Sequence, residues 1–158
     1  MATFRWFCLL WVAPAIACGQ IAASPAIELG SKFAATDSLK CGTDSSDDAQ
    51  ECVAALAWEP GDFEVELQAA EPGCGDWLVR FPSARPIGNS INDLVSMEWY
   101  AARDEQGAIR PARAVVVVHE SGRQMTAGRI IARGFNSHGL HAFLIHLPGY
   151  GARRDEKL

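Results

Sequence analysis

The sequence predicts an α/β fold in which antiparallel N-terminal strands lead into one parallel strand–helix–strand unit. Three observations predict it. Apolar and polar residues alternate from Phe63 to Ala69, the segment from Ala112 to Val118 ends in an apolar run that is unbroken from Ala114, and a helical repeat separates that run from His141 to Leu147. Alternation is typical of a strand with one buried face, whereas an unbroken run is typical of a strand covered on both faces. We therefore expect the buried centre of the sheet at Ala112 to Val118.

The N-terminal strands are predicted to form a hairpin followed by a third strand. The segment EPGCGD has the composition of a turn and separates Phe63–Ala69 from a second extended segment, Trp77 to Phe81. Further along, Leu94 to Arg103 places four apolar residues on one face of a strand: Val95, Met97, Trp99 and Ala101.

A helix is predicted between the last two apolar segments. Apolar and small residues recur at helical spacing and make one face: Ala127, Ile130, Ile131, Gly134 and Phe135. Gly139 stands where a left-handed C-terminal cap is expected. A crossover of this length allows the flanking strands to pair in parallel, as a right-handed βαβ unit.

The N-terminus has the make-up of a secretory signal peptide. Arg5 precedes an apolar stretch from Trp6 to Ala17, and small residues follow. The stretch is about a dozen residues long, whereas a membrane-spanning helix needs roughly 20. We expect residues 1–23 to be the signal and the protein to be exported to the periplasm, cell envelope or medium. A lipoprotein signal with Cys18 as the lipidated residue, an uncleaved membrane anchor and a buried N-terminal helix remain alternatives.

The residues after the signal, about 135 of them, are enough for roughly one domain. Their composition and cysteines indicate which partners and disulfides to expect. The net charge of −5, without a cluster of Lys and Arg, argues against nucleic acid as a partner. Residues 24–60 are predicted to be a polar, partly disordered segment and residues 61–158 the folded domain. Cys41 and Cys52 bracket a polar loop and are candidates for a disulfide, which leaves Cys74 unpaired.

Two loops are the candidate site. The segment HESGR follows the first predicted parallel strand and LPGYGARR follows the second. Ligands of open α/β sheets bind beyond the carboxyl ends of the strands, so we expect the two loops to be neighbours in space.

The motifs VVVVHE and HLPGYG, in this order of strands and helix, make residues 63–154 resemble the N-terminal part of an α/β-hydrolase of the dienelactone-hydrolase or esterase kind. The resemblance implies a partial α/β-hydrolase fold. In that family the loop after the third strand gives a backbone N–H to the oxyanion hole. By resemblance, the amides near Glu120 and Ser121 would do so here, His119 would shape the loop, and Gly122 would admit the substrate.

Each of these residues also has a plainer interpretation. Glu120 would orient or activate the nucleophile in some relatives, or would simply cap the following helix at its N-terminus. His119 is predicted to be a hydrogen-bonded loop histidine rather than a base. A nucleophilic Ser121 would need glycines at positions 119 and 123, where His and Arg stand.

The second loop departs from the family pattern at one position. His146 precedes Pro148, Gly149, Tyr150 and Gly151 where relatives commonly have aspartate. Its imidazole would hydrogen-bond the loop as that acid does, or merely end the strand. No cofactor is expected. The H-x-x-H spacing of His138 and His141 is interrupted by Gly139 and lacks a third ligand, so no metal site is predicted.

No G-x-S-x-G motif occurs in the sequence. We therefore expect an exported, truncated α/β-hydrolase-like protein that is inactive alone, with relatives that hydrolyse small-molecule esters or acyl bonds. In the family the third strand lies between the fourth and fifth, so here it would be an open edge. The alternative is a non-catalytic envelope protein or lipoprotein that binds a protein partner through this edge.

Overall fold

The structure, a computed structural model, describes residues 28–37, 42, 46–119 and 122–155. The described strands are β1 (Lys32–Thr36), β2 (Asp62–Ala69), β3 (Trp77–Pro82), β4 (Leu94–Tyr100), β5 (Ala114–Val118) and β6 (His141–Ile145). The helices are α1 (Asp47–Leu56), α2 (Thr126–Ser137) and a short 3-10 helix (Gly151–Arg153).

All six strands form one mixed sheet in the order β1-β2-β3-β4-β6-β5. Four pairs are antiparallel: β1 with β2, β2 with β3, β3 with β4 and β4 with β6. The fifth pair, β5 with β6, is parallel. The predicted β2–β3 hairpin is confirmed, with Leu67 opposite Val79. The parallel unit is confirmed too, with Val116 beside Phe143 and α2 as the crossover. The chain therefore belongs to the α/β class.

Two elements were not anticipated from the sequence. Strand β1 pairs with β2 along its whole length, so the sheet begins at Lys32, inside the segment expected to be polar and partly disordered. Helix α1 lies in the same segment and carries Cys52, which is exposed. Its predicted disulfide partner, Cys41, lies outside the described residues. The disulfide stays a prediction.

Helix α2 packs against one face of the sheet, over β4, β6 and β5. The buried cluster beneath it consists of Tyr100, Val117, Met125, Ala132, Ala142 and Leu144. The helix lies very close to the strands. A Cβ at Gly128 would be 2.8 Å from Leu144 Cδ1 and 2.9 Å from His119 Cβ, so only glycine fits there without displacement.

The outer face of α2 is where the predicted apolar stripe lies. Ile130 is 63% exposed, Ile131 48% and Phe135 42%, whereas Gly128 and Ala132 contact the sheet. Small side chains allow a close approach of helix and strand, and the bulky ones then point outward. The predicted C-terminal cap does occur, since Gly139 has a φ of +79°.

The position expected for β5 at the buried centre of the sheet is wrong. Strand β5 is one of the two edge strands of the sheet, and within the described residues it pairs only with β6. Val117 is buried beneath α2, but Val116 and Val118 on the other face are 63% and 64% exposed. The unbroken valine run therefore does not report burial on both faces.

No helix in the described part of the chain is both long and apolar enough to cross a bilayer. Residues 1–27, which include the predicted signal and Cys18, lie outside the described residues.

Candidate functional site

The loops that follow β5 and β6 are in contact, because both leave the same edge of a parallel pair. His119 directly follows β5 and is 5% exposed. Its Nε2 accepts a hydrogen bond from the backbone N–H of Leu147 at 3.2 Å. Its ring also packs edge-on against Tyr150, with ring centroids 4.8 Å apart. His119 therefore joins the two predicted loops.

Met125 holds the first loop against the second from the other end. It is the residue before α2, it is 1% exposed, and its φ of +49° is in the left-handed region. Its N–H donates to the carbonyl of Gly122 at 3.0 Å. The Cε atom of Met125 lies within reach of Gly151 in the second loop. A non-glycine residue held in this region costs about 1–3 kcal/mol, so the packing around Met125 fixes a strained turn at the loop.

Glu120 and Ser121, the two predicted sources of oxyanion-loop amides, lie outside the described residues. Of the other predicted residues in this loop, His119 and Gly122 flank them directly. The roles assigned to Glu120 and Ser121 therefore stay predictions.

The second loop is held in place mainly through backbone hydrogen bonds. Gly149 donates to Asn92 Oδ1 at 3.0 Å, and Tyr150 donates to the carbonyl of Leu147 at 3.0 Å. Pro148 is exposed, and Gly151 begins the 3-10 helix. The turn is thus closed on itself and attached to the loop before β4.

His146 is buried beneath the second loop, at 3% exposure. Its Nδ1 accepts a hydrogen bond from the N–H of Ala152 at 3.1 Å, so the ring proton must be on Nε2. Nε2 in turn donates to Glu98 Oε1 at 3.2 Å. His146 is therefore a neutral donor that links the loop to β4.

Glu98 is the centre of the most buried polar cluster at this site. It lies on β4, is 1% exposed, and faces α2. Arg129 binds Oε1 through Nη2 at 2.6 Å and Nε at 3.0 Å, while the hydroxyl of Tyr100 donates to Oε2 at 2.7 Å. With His146, three side chains from three parts of the chain orient one carboxylate, and the charge of Arg129 neutralises it.

The hydrogen bonds in this cluster shift its titration. Burial alone would raise the pKa of Glu98, but hydrogen bonds from His146, Arg129 and Tyr100 and the charge of Arg129 lower it to about 2. Burial and the hydrogen bond to Glu98 raise the pKa of Tyr100. Glu98 is therefore an anion at neutral pH and acts as an acceptor.

A small cavity lies beside this cluster. Its volume is about 60 Å³, and its polar and charged lining residues are Glu71, Cys74, Glu98, Arg129 and His146. A water molecule takes about 30 Å³ of liquid, so the cavity is too small for an ester substrate. Burial, followed by the negative charge of Glu98, raises the pKa of the Cys74 thiol. A thiol in this environment is a poor nucleophile.

Sequence reasoning did not find Glu98, Tyr100 or Arg129. The available signal was the second face of β4, where Ser96, Glu98 and Tyr100 alternate with the apolar residues. From the sequence alone, a strand face with polar residues is expected to be exposed to solvent, unless a helix or another sheet is known to cover it. Here α2 covers it, and all three residues are buried.

The histidines at H-x-x-H spacing do not share a site. His138 Nδ1 contacts the carbonyl of Gly134 at 2.8 Å at the end of α2. His141 Nδ1 accepts hydrogen bonds from Trp99 and Ala102, and its Nε2 contacts the carbonyl of Arg110. Among the residues that the structure describes, no group of three His, Cys, Asp or Glu is arranged to hold a metal ion.

Comparisons with known proteins add no assignment: no family model matches the chain, and a search of curated proteins finds no match.

Proposed function

We propose that this chain is the part of an α/β-hydrolase-like domain that carries the oxyanion loop, and that it does not hydrolyse esters by itself. The observation that carries the proposal is the pair of joined loops at the carboxyl ends of β5 and β6, with His119 Nε2 bound to Leu147 N–H. Full-length relatives would cleave ester or acyl bonds. An oxyanion loop works only if its amides are held rigidly before the charge develops.

The strand arrangement supports the proposal. In the resembled family, the strand before the oxyanion loop has the fourth strand on one side and the nucleophile-bearing strand on the other. Here β6 pairs with one side of β5, and β5 is an edge strand of the described sheet. The position that the nucleophile-bearing strand would take is thus the free edge of β5.

The two buried histidines support the lack of activity. The Nε2 lone pair of His119 is used by Leu147, and both ring nitrogens of His146 are used by Glu98 and Ala152. A general base must have a free lone pair directed at the nucleophile. His119 and His146 serve to fix the loops.

An ester assay with the purified chain tests this proposal. We expect p-nitrophenyl acetate to be hydrolysed at the rate of the buffer, with no change in Glu120→Gln or Ser121→Ala. Turnover well above buffer that either substitution abolishes would contradict it. A Ser137→Ala variant, altered at the exposed end of α2, is the control for nonspecific effects.

A second function, binding of a protein partner by strand addition, is favoured by the exposed valines. The carbonyl of Arg113 accepts a hydrogen bond from the N–H of His141, on the side of β6. The backbone groups of successive residues in a strand point to opposite edges, so those of Val116 and Val118 point toward the free edge. An edge with exposed apolar side chains is a template for another strand.

The substitution Val116→Lys tests the edge, because charged residues on edge strands oppose strand addition. We expect light scattering with size-exclusion chromatography to show less self-association or partner binding for Val116→Lys than for wild type. Ile130→Lys, on the equally exposed outer face of α2, is the matched control. Strand addition is ruled out if the chain is monomeric and binds nothing, or if both variants behave alike.

A further inference from the structure

A cleft lies where the ends of β1 and β3 meet the start of β2. Its volume is about 380 Å³, and small-molecule sites occupy roughly 300–1,000 Å³. Three aromatic rings and three carboxyl groups line it: Trp58, Phe63, Phe81, Asp37, Glu59 and Asp62. Among the described residues that line the cleft there is no Lys, Arg or His. The cleft is therefore both aromatic and acidic.

The aromatic wall is built from three parts of the chain. Phe63 and Phe81 belong to the neighbouring antiparallel strands β2 and β3, and their ring centroids are 5.8 Å apart. Trp58, from the segment between α1 and β2, donates through Nε1 to Asp37 Oδ2 at the end of β1. Nε1–H is the only donor of an indole, so what Trp58 offers to a ligand is the surface of its ring.

The carboxyl groups of the cleft lie at its exposed rim. Asp62 Oδ1 accepts a hydrogen bond from the hydroxyl of Thr36 at 2.7 Å, and Glu59 is exposed. Within the described residues, neither of these acids forms an ion pair with a Lys or Arg. Arg85, which follows the β3 end of the cleft, donates to the carbonyl of Ala55. A cationic ligand would therefore meet acidic side chains at the rim.

The combination of rings and acids selects the class of ligand. A bare metal ion does not fit, because the part of the chain that the structure describes has no three acids close enough together to hold one. A neutral apolar ligand would use the rings but not the carboxylates, and an anion would be repelled by the carboxylates. An ammonium group on an apolar body uses both, since a cation is attracted to the face of an aromatic ring.

We propose that this cleft binds a small organic cation, an ammonium group carried on methyl or methylene carbons. The rings of Trp58, Phe63 and Phe81 contact its carbons, and the carboxylates of Glu59 and Asp62 face its charge. The cleft shares no residue with the two joined loops. Its test is therefore independent of the proposed hydrolase relationship.

Isothermal titration of the full chain with choline tests the proposal. The matched probe is dimethylbutanol, which has the shape of choline with carbon in place of the charged nitrogen. We expect saturable one-to-one binding of choline and binding of dimethylbutanol that is weaker by about fivefold or more. No saturable binding of choline, or equal affinity for the two probes, would overturn the proposal.

The same ammonium group occurs free in solution and in lipid headgroups, and a second measurement distinguishes these sources. Binding of choline without cosedimentation with phosphatidylcholine vesicles identifies a free cation as the ligand. Binding of choline together with cosedimentation identifies a lipid headgroup.

Variants show whether the cleft is the place of binding. Trp58→Leu keeps an apolar side chain and removes the ring, so we expect choline to bind about fivefold more weakly. The double variant Glu59→Gln/Asp62→Asn should also bind more weakly and lose most of the dependence of binding on salt. Glu51→Gln/Glu105→Gln removes two exposed acids outside the cleft and is the matched control.

Glu59 decides the outcome if Trp58→Leu does not fold, because its side chain is exposed and Glu59→Gln leaves the packing intact. Equal weakening of choline binding in Glu59→Gln/Asp62→Asn and in the control would show a general charge effect. That result would refute the site.

Discussion

Glu98 shows how one side chain can connect the fold to the candidate site. Its carboxylate receives hydrogen bonds from β4 itself, from α2 and from the loop after β6, through Tyr100, Arg129 and His146. Burying a carboxylate is favourable only when such donors replace water. The position of the second loop therefore depends on the charge of Glu98.

This dependence predicts a loss of stability in acid. The folded-state pKa of Glu98 is about 2 and its ordinary value is 4.5, so the folded protein holds the proton less tightly than the unfolded chain. The contribution of Glu98 is complete above pH 4.5 and is lost as the pH falls toward 2, amounting to about 3 kcal/mol. Urea unfolding at pH 7, 4.5, 3 and 2 measures it.

The control for the acid prediction is Glu98→Gln, which cannot titrate. We expect this variant to be less stable at neutral pH and to lose less stability between pH 4.5 and 2. Glu64→Gln removes the carboxylate of an exposed ion pair with Lys32 and should behave like wild type. The account of Glu98 fails if the acid dependence of Glu98→Gln equals that of wild type.

At the scale of elements, the close packing of α2 on the sheet depends on the absence of large side chains from the inner face of the helix. Gly128 and Ala132 allow the helix to lie on Leu144 and the end of β5. Larger residues there would push the helix away and disturb His119, which is 2.9 Å from a Cβ added at Gly128.

Replacing Gly128 by alanine tests the close packing. Alanine favours a helix over glycine by about 1 kcal/mol, but overpacking costs about 1–3 kcal/mol. We expect Gly128→Ala to lower the free energy of unfolding in urea. Gly134→Ala in the same helix meets no atom within 4 Å and should raise it by about 0.5–1 kcal/mol. Stabilisation by both substitutions would disprove the packing argument.

Most elements of the sheet could be predicted from the sequence, and their environment could not. Alternation located β2, and the turn composition after it located the hairpin. The unbroken valines of β5 and the apolar stripe of α2 were assigned to elements correctly, but both lie largely exposed. Periodicity reports the type of an element. Burial depends on which other element covers each face, and the residues of the element itself do not show which element that is.

At the scale of the whole molecule, the predicted site is a junction of two loops at one sheet edge. Its two-loop arrangement follows from parallel pairing of consecutive strands, which the crossover length predicts. The cluster that supports the loops could not be predicted, because Glu98 meets Arg129 and His146 across separations of 31 and 48 residues.

The sheet has one face under α2 and a free edge at β5. The free edge of β5 is the place where, in our proposal, a nucleophile-bearing strand would pair. We propose that the chain alone has no activated nucleophile.

Labelling with a fluorophosphonate probe tests that claim most directly, since the probe reacts with activated serines only. The purified chain would be incubated with the probe, and its intact mass and tryptic peptides would be measured, with an active serine esterase as a positive control. The account predicts no added mass on the chain while the control is fully labelled. One adduct per chain at Ser121, lost in Ser121→Ala and after heat unfolding, would contradict it.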